Sequence, residues 1–457
     1  KKKDSKKSKK EKKKRRARAE EPVKVNYDLS KVVVDSILSD GIHYKLYSIG
    51  SEKAHHNVHV IEVDITNPEN SVEVLKSCDR ANELEKLQDI VRRFDSTESY
   101  NVLGAINGNF WRAFPNFPIG PTIVEGEPVE INTHRNWSSA FFGEDEKLYI
   151  DNFKLNAYIT GPKGRVLPID RSNRRLDSRE TILYKHFYGD RIPFVPKQNI
   201  EALIAEALKD TTFADTTDAE IDTAQIRLEV EQAEHSAYSE YSMKKAIFEY
   251  LERPMVNKPT ACRLVSIDTG TVRVPANGFV ISFGDNPPDL SGLRAGDICR
   301  LNIETSSHQD VHFLNSVSGT PRLVRRGVAS AEARQEGSRS RRFISSPLPR
   351  TAIGTDKTQS KIYLATVEIS YKKNGRTAAS LDQMARIMET IGCYNAMNLD
   401  GGGSTSMVIG GKNLIWKSNP DSSRKMAVGV AAARKKPTLK NVFRSKPTQE
   451  TKTKSAR

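Results

Sequence analysis

Apolar and polar residues alternate over several short stretches in the first third of the chain, a pattern that is typical of β-strands. The alternation is clearest at residues 44–49, 58–65 and 72–75. Strand and turn signals continue around Asn107 and Gly120 and through residues 137–149 and 275–297. These stretches predict a mixed or antiparallel sheet as the core of the protein.

One helix is strongly indicated near the C-terminal end. Ser380 and Gln383 have the spacing of a capping box, and apolar residues recur at helical intervals from Leu381 to Ile391. Gly392 follows, where the end of a helix favours a residue without a Cβ. Strand signals surround this helix, at residues 361–368, 396–399 and 405–409. We therefore expect an α+β fold with helices flanking the sheet.

A segment of different composition interrupts the strands. Residues 197–254 hold 13 acidic and 6 basic side chains. Their apolar residues are spaced as in a helix at 200–208 and again at 243–251. We expect residues 197–258 to form an acidic helical arm inserted into a single domain that spans residues 23–433.

Positive charge is concentrated at the two ends of the chain. The sequence has 72 Lys and Arg against 57 Asp and Glu, a net charge of +15. Residues 1–20 hold 13 basic and 3 acidic side chains, and residues 434–457 hold 9 and 1, so the central part is close to neutral. The charge is thus poor evidence for a nucleic-acid-binding domain. We expect residues 1–22 and 434–457 to be disordered tails, either plain linkers or contacts for a polyanion.

Several other site types are disfavoured. No run of about eighteen apolar residues predicts a membrane span, and no signal peptide is visible. The cysteines lack the CxxC spacing of a metal site, and we expect them to be buried apolar residues: Cys78, Cys262, Cys299 and Cys393. The alternative is that one pair forms a disulfide in an oxidising compartment. Residues Val58 and Val60 alternate with polar neighbours, which predicts solvent-facing positions, and not zinc sites, for three histidines: His55, His56 and His59.

The highest concentration of candidate catalytic and binding residues lies between two predicted strands. A carboxylate is followed by three glycines and two hydroxyls: Asp400, Gly401, Gly402, Gly403, Ser404 and Thr405. Consecutive glycines let main-chain N–H groups converge without obstruction by a Cβ, as in an anion-binding nest. The run predicts a turn that binds phosphate. The alternative is a plain tight turn in which Asp400 bonds its own backbone.

Three further segments accompany this turn. Asn107-Gly108-Asn109 ends an apolar stretch, Gly120 precedes a strand and a Glu-Gly hairpin, and Arg350-Thr351-Ala352-Ile353-Gly354 precedes the strand at 361–368. Together with the helix and the triple glycine, in this order, they resemble the phosphodiester glycosidase family. The resemblance extends in pieces over residues 30–433 and is densest at 345–410.

The resemblance implies a hydrolase that removes a sugar, similar to N-acetylglucosamine, from a sugar-1-phosphodiester. The substrate would be a phosphorylated glycan or a cell-envelope polymer, and the enzyme would be secreted, periplasmic or on the cell surface. A non-catalytic protein of the same fold that binds carbohydrate or phosphoglycan is the alternative. A third possibility is a scaffold that acts through the basic tails.

The scissile bond suggests a role for each residue. A phosphomonoester leaves readily, so the site must mainly stabilise charge on the phosphate and place a carboxylate near the sugar. We expect catalytic roles for Asp400 as base or electrostatic stabiliser, for Arg350 as a fork for phosphate oxygens, and for Asn107 as a partner of sugar hydroxyls or of Asp400. Substrate binding is expected from eight further residues: Asn109, Gly120, Thr351, Gly401, Gly402, Gly403, Ser404 and Thr405.

Two points stay open in the sequence. A second carboxylate could be Asp64, Glu125 or Asp356, and spacing along the chain does not rank them. Asp400 with nearby oxygen donors could also hold Ca²⁺ or Mg²⁺, although nothing in the spacing requires a cation.

Overall fold

The computed structural model describes residues 24–436, except 97–98, 113–114, 194–200, 202–203, 206–223, 225–226, 229, 232–237, 369–376 and 417–422. The N-terminal basic tail expected at 1–22 and residues 437–457 of the C-terminal tail lie outside the described residues. So does most of the expected acidic arm.

The protein is mostly β-sheet, with 46% of residues in strands and 12% in helices. The predicted α+β fold with flanking helices is therefore wrong. Nearly all neighbouring strands are antiparallel, and antiparallel neighbours need only a short turn between them, whereas parallel ones need a crossover that is usually helical. The helix predicted near residue 381 is present, but the described residues contain few other helices. Three helices have described bounds: α1 (Leu87–Asp95), α2 (Arg341–Ser345) and α3 (Leu381–Thr390).

The largest part of the core is formed by two sheets that face each other. The first has eight antiparallel strands in the order β1 (Ser30–Ser39), β2 (Ile42–Ser51), β3 (Ala54–Asp64), β25 (Lys361–Val367), β24 (Arg350–Thr355), β26 (Asn395–Asn398), β22 (Arg322–Arg325) and β23 (Val328–Ala329). The second has five in the order β28 (Lys412–Asn413), β27 (Met407–Ile409), β6 (Tyr100–Asn107), β30 (Val428–Lys435) and β4 (Asn70–Lys76). Apolar side chains from both sheets pack together, among them Ile61, Val63, Ile106, Leu364 and Val430.

Each of these sheets carries a helix on its outer face. Helix α3 begins with the predicted capping box, in which Ser380 Oγ accepts from Gln383 N and Gln383 Oε1 accepts from Ser380 N. Its buried side chains pack on the eight-stranded sheet: Leu381, Met384, Ile387 and Met388. Helix α1 packs on the five-stranded sheet through Leu87, Ile90 and Val91.

A third and a fourth sheet form the rest of the body. One has five strands: β10 (Leu148–Asp151), β9 (Ser138–Gly143), β21 (Phe313–Gly319), β7 (Thr122–Val124) and β8 (Glu127–Glu130). The other curves into a nearly closed barrel: β12 (Val166–Ile169), β11 (Leu155–Thr160), β20 (Ile298–Thr305), β17 (Thr260–Asp268), β16 (Lys245–Tyr250), β19 (Gly278–Ser282), β14 (Ile182–Tyr184) and β13 (Arg171–Ser172). Two small ribbons pair β15 (Arg191–Ile192) with β18 (Val272–Arg273) and β5 (Glu85–Lys86) with β29 (Lys425–Met426).

Two expected boundaries change. The apolar stretch at 243–251 suggested a helix, but its residues 245–250 form β16, whose Phe248 and Tyr250 are buried in the barrel beside Phe279. The barrel interior thus overrides the helical spacing. The described positions between residues 201 and 231 are helical. At the other end, β30 runs to Lys435 and so enters the segment expected to be a tail.

The cysteine prediction is confirmed for three of the four residues, since Cys78 is only partly buried, and the predicted solvent-facing position is wrong for His56 and His59. All four cysteines are free, and Cys262, Cys299 and Cys393 are buried. His56 and His59 are completely buried, because β3 lies inside a sheet that is covered on both faces. His56 contacts the Thr377 carbonyl oxygen at 3.0 Å through Nδ1. His59 contacts Glu368 at 2.9 Å.

His56 should make folding sensitive to acid. Burial lowers its pKa to about 4, below the value of about 6.5 for an exposed imidazole. The unfolded chain therefore binds a proton that the folded chain does not between these values, and stability should fall as the pH falls from about 6.5 to about 4, by at most about 3 kcal/mol. Thermal unfolding at about pH 7.5 and about pH 5 measures this.

The variant His56→Gln should be less stable than the wild type near neutral pH but should lose less stability on acidification. His43→Gln removes a histidine from the β1–β2 hairpin and leaves the buried site intact, so it serves as the control. An unchanged acid sensitivity in His56→Gln would contradict the assignment.

Candidate functional site

The candidate site lies where β6, β24 and β26 end beside the triple-glycine turn. Asn107, the last residue of β6, is 1% exposed. Its Nδ2 donates to the main-chain oxygen of Asp400 at 2.7 Å. Its Oδ1 accepts from Thr351 Oγ1 at 2.7 Å and from the main-chain N of Ser406 at 3.0 Å. One side-chain amide therefore joins three separate segments of the chain.

Asp400 is held at both its main chain and its carboxylate. The residue is 1% exposed, and its N donates to the Gly108 oxygen at 3.1 Å. Oδ1 of the carboxylate accepts from Gly401 N at 2.8 Å. This contact is the local Asp-turn bond that the sequence left as an alternative. It fixes the direction of the carboxylate.

Most main-chain N–H groups of the turn donate hydrogen bonds within the protein. Gly402 N donates to the Pro349 oxygen at 2.8 Å, Ser404 N to Gly401 at 3.1 Å and Thr405 N to Gly402 at 3.2 Å. Together with Gly401 N, four main-chain donors are engaged inside the protein. The predicted anion nest is therefore wrong for these four groups. Gly402 has φ +58°, a conformation that favours glycine, and no atom lies within 4 Å of the place a Cβ would take.

Polar side-chain atoms in the turn lack partners. Ser404 Oγ and Thr405 Oγ1 are completely buried, and neither forms a hydrogen bond with any described residue. Asn398 Oδ1, two residues before Asp400, is in the same state. A buried polar atom without a partner costs about 1–3 kcal/mol. Such a cluster is typical of a place where a polar ligand or water binds.

Arg424 joins the site and was missed by the sequence analysis. A Cβ placed on Gly403 would lie 2.6 Å from Arg424 Nε and 2.9 Å from its Cζ. The guanidinium, on a half-buried side chain, therefore lies against the glycine backbone at a distance that only glycine permits. No motif surrounds Arg424, and no spacing rule connects it to Gly403, so the sequence offers no signal for it.

Arg350 occupies a different environment from the one expected. It is 1% exposed, and its Nε donates to the Ala379 oxygen at 2.9 Å. Its Nη2 donates to the oxygens of Phe343 at 2.7 Å and Ser346 at 3.2 Å. The guanidinium carbon lies 5.4 Å from the centre of the Phe343 ring. These N–H groups hold α2 and the segment before α3 against β24.

The loop that carries Asn109 and Gly120 lines the next part of the site. Asn109 Nδ2 donates to the Ile119 oxygen at 3.2 Å and to Thr122 Oγ1 at 2.9 Å, and its buried Oδ1 has no described partner. Gly120 has φ +85°, and a Cβ there would lie 2.6 Å from Ser318 Cβ. Both residues close the loop, and neither contacts Asp400 through a described hydrogen bond.

The alternative carboxylates are distant or elsewhere. Strand β24 has Arg350 at one end and Asp356 just beyond the other, a separation of about 20 Å. Asp64 lies opposite Lys361 where β3 pairs with β25, at that same far end. Glu125 is exposed in the turn between β7 and β8. Among the residues that the structure describes, no group of three or more His, Cys, Asp or Glu side chains could hold a metal ion.

A comparison with protein families identifies the C-terminal part of this architecture. Residues 264–433 match the phosphodiester glycosidase family. The matched segment contains Arg350, Thr351, Asp400, the triple-glycine turn and Arg424, whereas Asn107, Asn109 and Gly120 lie before it. The family resemblance noted in the sequence is thus confirmed for this part of the chain. No curated protein matches the chain.

Two solved structures share the fold of this chain, and a third aligns with it more weakly. A hypothetical protein from Synechocystis is similar with a TM-score of 0.59 and 18% identity over 88% of this chain, which spans 64% of that protein. A "putative exported protein" from Burkholderia pseudomallei K96243 has a TM-score of 0.56 and 13% identity, with 91% and 99% of the two chains covered. The zebrafish N-acetylglucosamine-1-phosphodiester alpha-N-acetylglucosaminidase catalytic domain, auto-inhibited by its pro-peptide, aligns at a TM-score of 0.40 and 15% identity, with 88% and 82% covered. None of the helices in the described part of the chain is long and apolar enough to cross a membrane.

Removal of the Asn107 amide should destabilise the protein strongly. Asn107→Ala leaves the Asp400 oxygen, the Thr351 hydroxyl and the Ser406 N–H unpaired, and we expect a loss of about 3 kcal/mol. Thr351→Val removes one of the three bonds and should cost about 1 kcal/mol. Urea unfolding measures both losses. Asn101→Ala, at an exposed position of the same strand, is the matched control and should change little. Equal stabilities of Asn107→Ala and Asn101→Ala would contradict the role of Asn107.

Proposed function

We propose that the protein is a hydrolase that removes a sugar from a sugar-1-phosphodiester. The observation that carries the proposal is the triple-glycine turn, where the Asp400 carboxylate is fixed beside two buried hydroxyls without described partners and Arg424 lies against Gly403. The family match over residues 264–433 supports the same reaction class.

The bond that breaks joins the anomeric carbon to the bridging oxygen. The phosphomonoester departs with the bonding electrons, and its low basicity means that little protonation is needed. A water molecule supplies the oxygen that forms the new bond to the anomeric carbon, and its proton passes to a base. The products are a free sugar and a phosphomonoester. The enzyme must stabilise the negative charge of the phosphate and the positive charge that develops on the sugar.

We assign the stabilisation of the negative charge on the phosphate to Arg424 and to the hydroxyls of the turn. A guanidinium presents a planar pair of donors that suits two phosphate oxygens. The hydroxyls of Ser404 and Thr405 can donate to the same anion, which would satisfy two atoms that are otherwise buried without a described partner. The Asp400 carboxylate is the base for the water or the stabiliser of the sugar cation.

Three other residues then act by positioning. Asn107 holds the main chain of Asp400, Thr351 holds Asn107, and Arg350 holds the segments on either side of β24. The phosphate role first expected for Arg350 thus passes to Arg424 in this proposal. Asn109, with an unpaired buried Oδ1, is the candidate partner for a sugar hydroxyl. Gly120 keeps the loop that carries it in place.

The resemblance to the phosphodiester glycosidase family also suggests a substrate class and a location. We propose a glycan or a cell-envelope polymer with sugar-1-phosphate links and a sugar similar to N-acetylglucosamine. We also propose that the enzyme is secreted, periplasmic or exposed on the cell surface. Fractionation of the producing cells, followed by activity measurements on each fraction, tests the location, and activity confined to the cytoplasm would contradict it.

Turnover of an N-acetylglucosamine-1-phosphodiester tests the reaction. The purified chain should release free sugar and phosphomonoester, and Asp400→Asn should lower kcat by at least about a hundredfold because the carboxylate charge is lost. Arg424→Gln should also lower kcat/KM by about a hundredfold, with partial recovery in Arg424→Lys, which keeps the charge but not the fork. Lys425→Gln removes an exposed neighbouring cation and is the matched control.

Hydrolysis in ¹⁸O-labelled water distinguishes the bond that breaks. Label in the sugar indicates cleavage at the anomeric carbon, and label in the phosphomonoester would instead indicate a phosphodiesterase and contradict the proposal. Full activity in Asp400→Asn and Arg424→Gln would keep the reaction and discard this site. Binding of the diester without turnover would favour the non-catalytic alternative.

A further inference from the structure

A cleft lies outside the triple-glycine site. It has a volume of 610 Å³ and is bounded by the end of α1, the turn between β7 and β8, and the segment that follows β16. Volumes of this order are typical of small-molecule sites. None of the residues assigned above to the proposed reaction lines it.

Tyr250 provides the first sign of a ligand in this cleft. The residue lines the cleft and is 4% exposed, and its buried hydroxyl has no hydrogen-bond partner among the described residues. The ring is fixed in place, because Lys185 Nζ lies 4.4 Å from its centre and the Phe279 ring lies 5.2 Å away. A rigid tyrosine whose hydroxyl is unsatisfied is costly unless something binds to it.

Glu127 provides a second fixed polar group on the cleft wall. Its Oε2 lies 2.9 Å from Lys185 Nζ and 3.3 Å from His186 Nδ1. The Lys185 side chain is completely buried, whereas that of Glu127 is 17% exposed. Burial alone would raise the pKa of Glu127, but hydrogen bonds from His186 and Lys185 and their charges hold it below its ordinary value. The carboxylate is therefore an acceptor that is already oriented.

The rest of the lining indicates the class of ligand. Aromatic side chains of Phe94 and Phe187 lie among planar polar groups, including Asn277. Three further carboxylates line the cleft, those of Asp79, Glu125 and Glu252, which makes it unfavourable for phosphate or another anion. The basic lining residues do not outweigh these carboxylates, because Arg93 is already paired with Asp79 at 2.6 Å and Glu85 at 3.0 Å. His186 faces Glu127 at 3.3 Å, and Arg253 is a single further cation among four carboxylates. Polyols suit this combination, since hydroxyls donate to carboxylates and C–H faces pack on aromatic rings.

We propose that this cleft binds a neutral oligosaccharide, with Tyr250 and Glu127 as its polar anchors. Identification of that oligosaccharide as part of the substrate glycan rests on the proposed function, but the binding itself does not. The protein would then hold its polymer at two places, a phosphate-bearing link at the triple-glycine turn and neutral sugars in the cleft.

Saturation-transfer NMR on the full chain tests the proposal, with neutral trisaccharides of glucose, mannose and N-acetylglucosamine as probes. At least one should bind with a millimolar dissociation constant. Tyr250→Phe should weaken that binding by about tenfold, since one hydrogen bond is lost while the ring and its contacts stay. Glu127→Gln should weaken it to a similar degree. Tyr241→Phe, at a residue that is 62% exposed, is the matched control.

Thermal unfolding of the same variants distinguishes binding from a structural role. Tyr250→Phe removes an unpaired buried hydroxyl, so its melting temperature should not fall. Unchanged trisaccharide affinity in Tyr250→Phe would overturn the proposal, as would the absence of binding by all three probes or preferential binding of a lysine-rich peptide. Trisaccharide binding should persist in Asp400→Asn. Binding without any turnover by the wild type would therefore contradict only the proposed reaction.

Discussion

The buried amide of Asn107 satisfies three polar groups that lie far from it in the chain, the Asp400 oxygen, the Thr351 hydroxyl and the Ser406 N–H. Each of these groups would otherwise be unpaired in the interior, so the strand ends cannot separate without a large energetic cost. Strand β6 belongs to one core sheet and β24 and β26 to the other. The site therefore lies where these two sheets meet, and the Asn107 side chain holds them in position.

Two arginines show how burial decides the use of the same chemical group. Arg350 stands in the most conspicuous sequence segment, but Nε and Nη2 donate to main-chain oxygens of neighbouring segments. Arg424 stands in an unremarkable segment and lies against Gly403 on the proposed phosphate side. The two differ in what surrounds the guanidinium, which depends on contacts between residues far apart in the chain.

Local patterns predicted the elements whose signals are local, and failed where tertiary contacts decide. The capping box at Ser380 and the alternation at 58–65 correctly placed α3 and β3. Residues 243–251 had helical spacing, yet residues 245–250 form strand β16 of the barrel. The glycine turn was placed correctly, but its N–H groups donate internally, because Pro349 and the turn itself supply acceptors that the sequence does not reveal. Burial of His56 likewise follows from a sheet covered on both faces.

The aromatic residues around the triple-glycine turn give the protein a built-in optical probe. The chain has three tryptophans, Trp111, Trp137 and Trp416, and Trp111 lies two residues after Asn109. Trp416 Nε1 donates to the Thr405 oxygen at 2.9 Å, and Trp137 packs 5.4 Å from the Phe110 ring in the loop that carries Asn109. Indole emission responds to local polarity and hydrogen bonding. Intrinsic fluorescence of the unlabelled protein is therefore dominated by this region, with little background from the barrel.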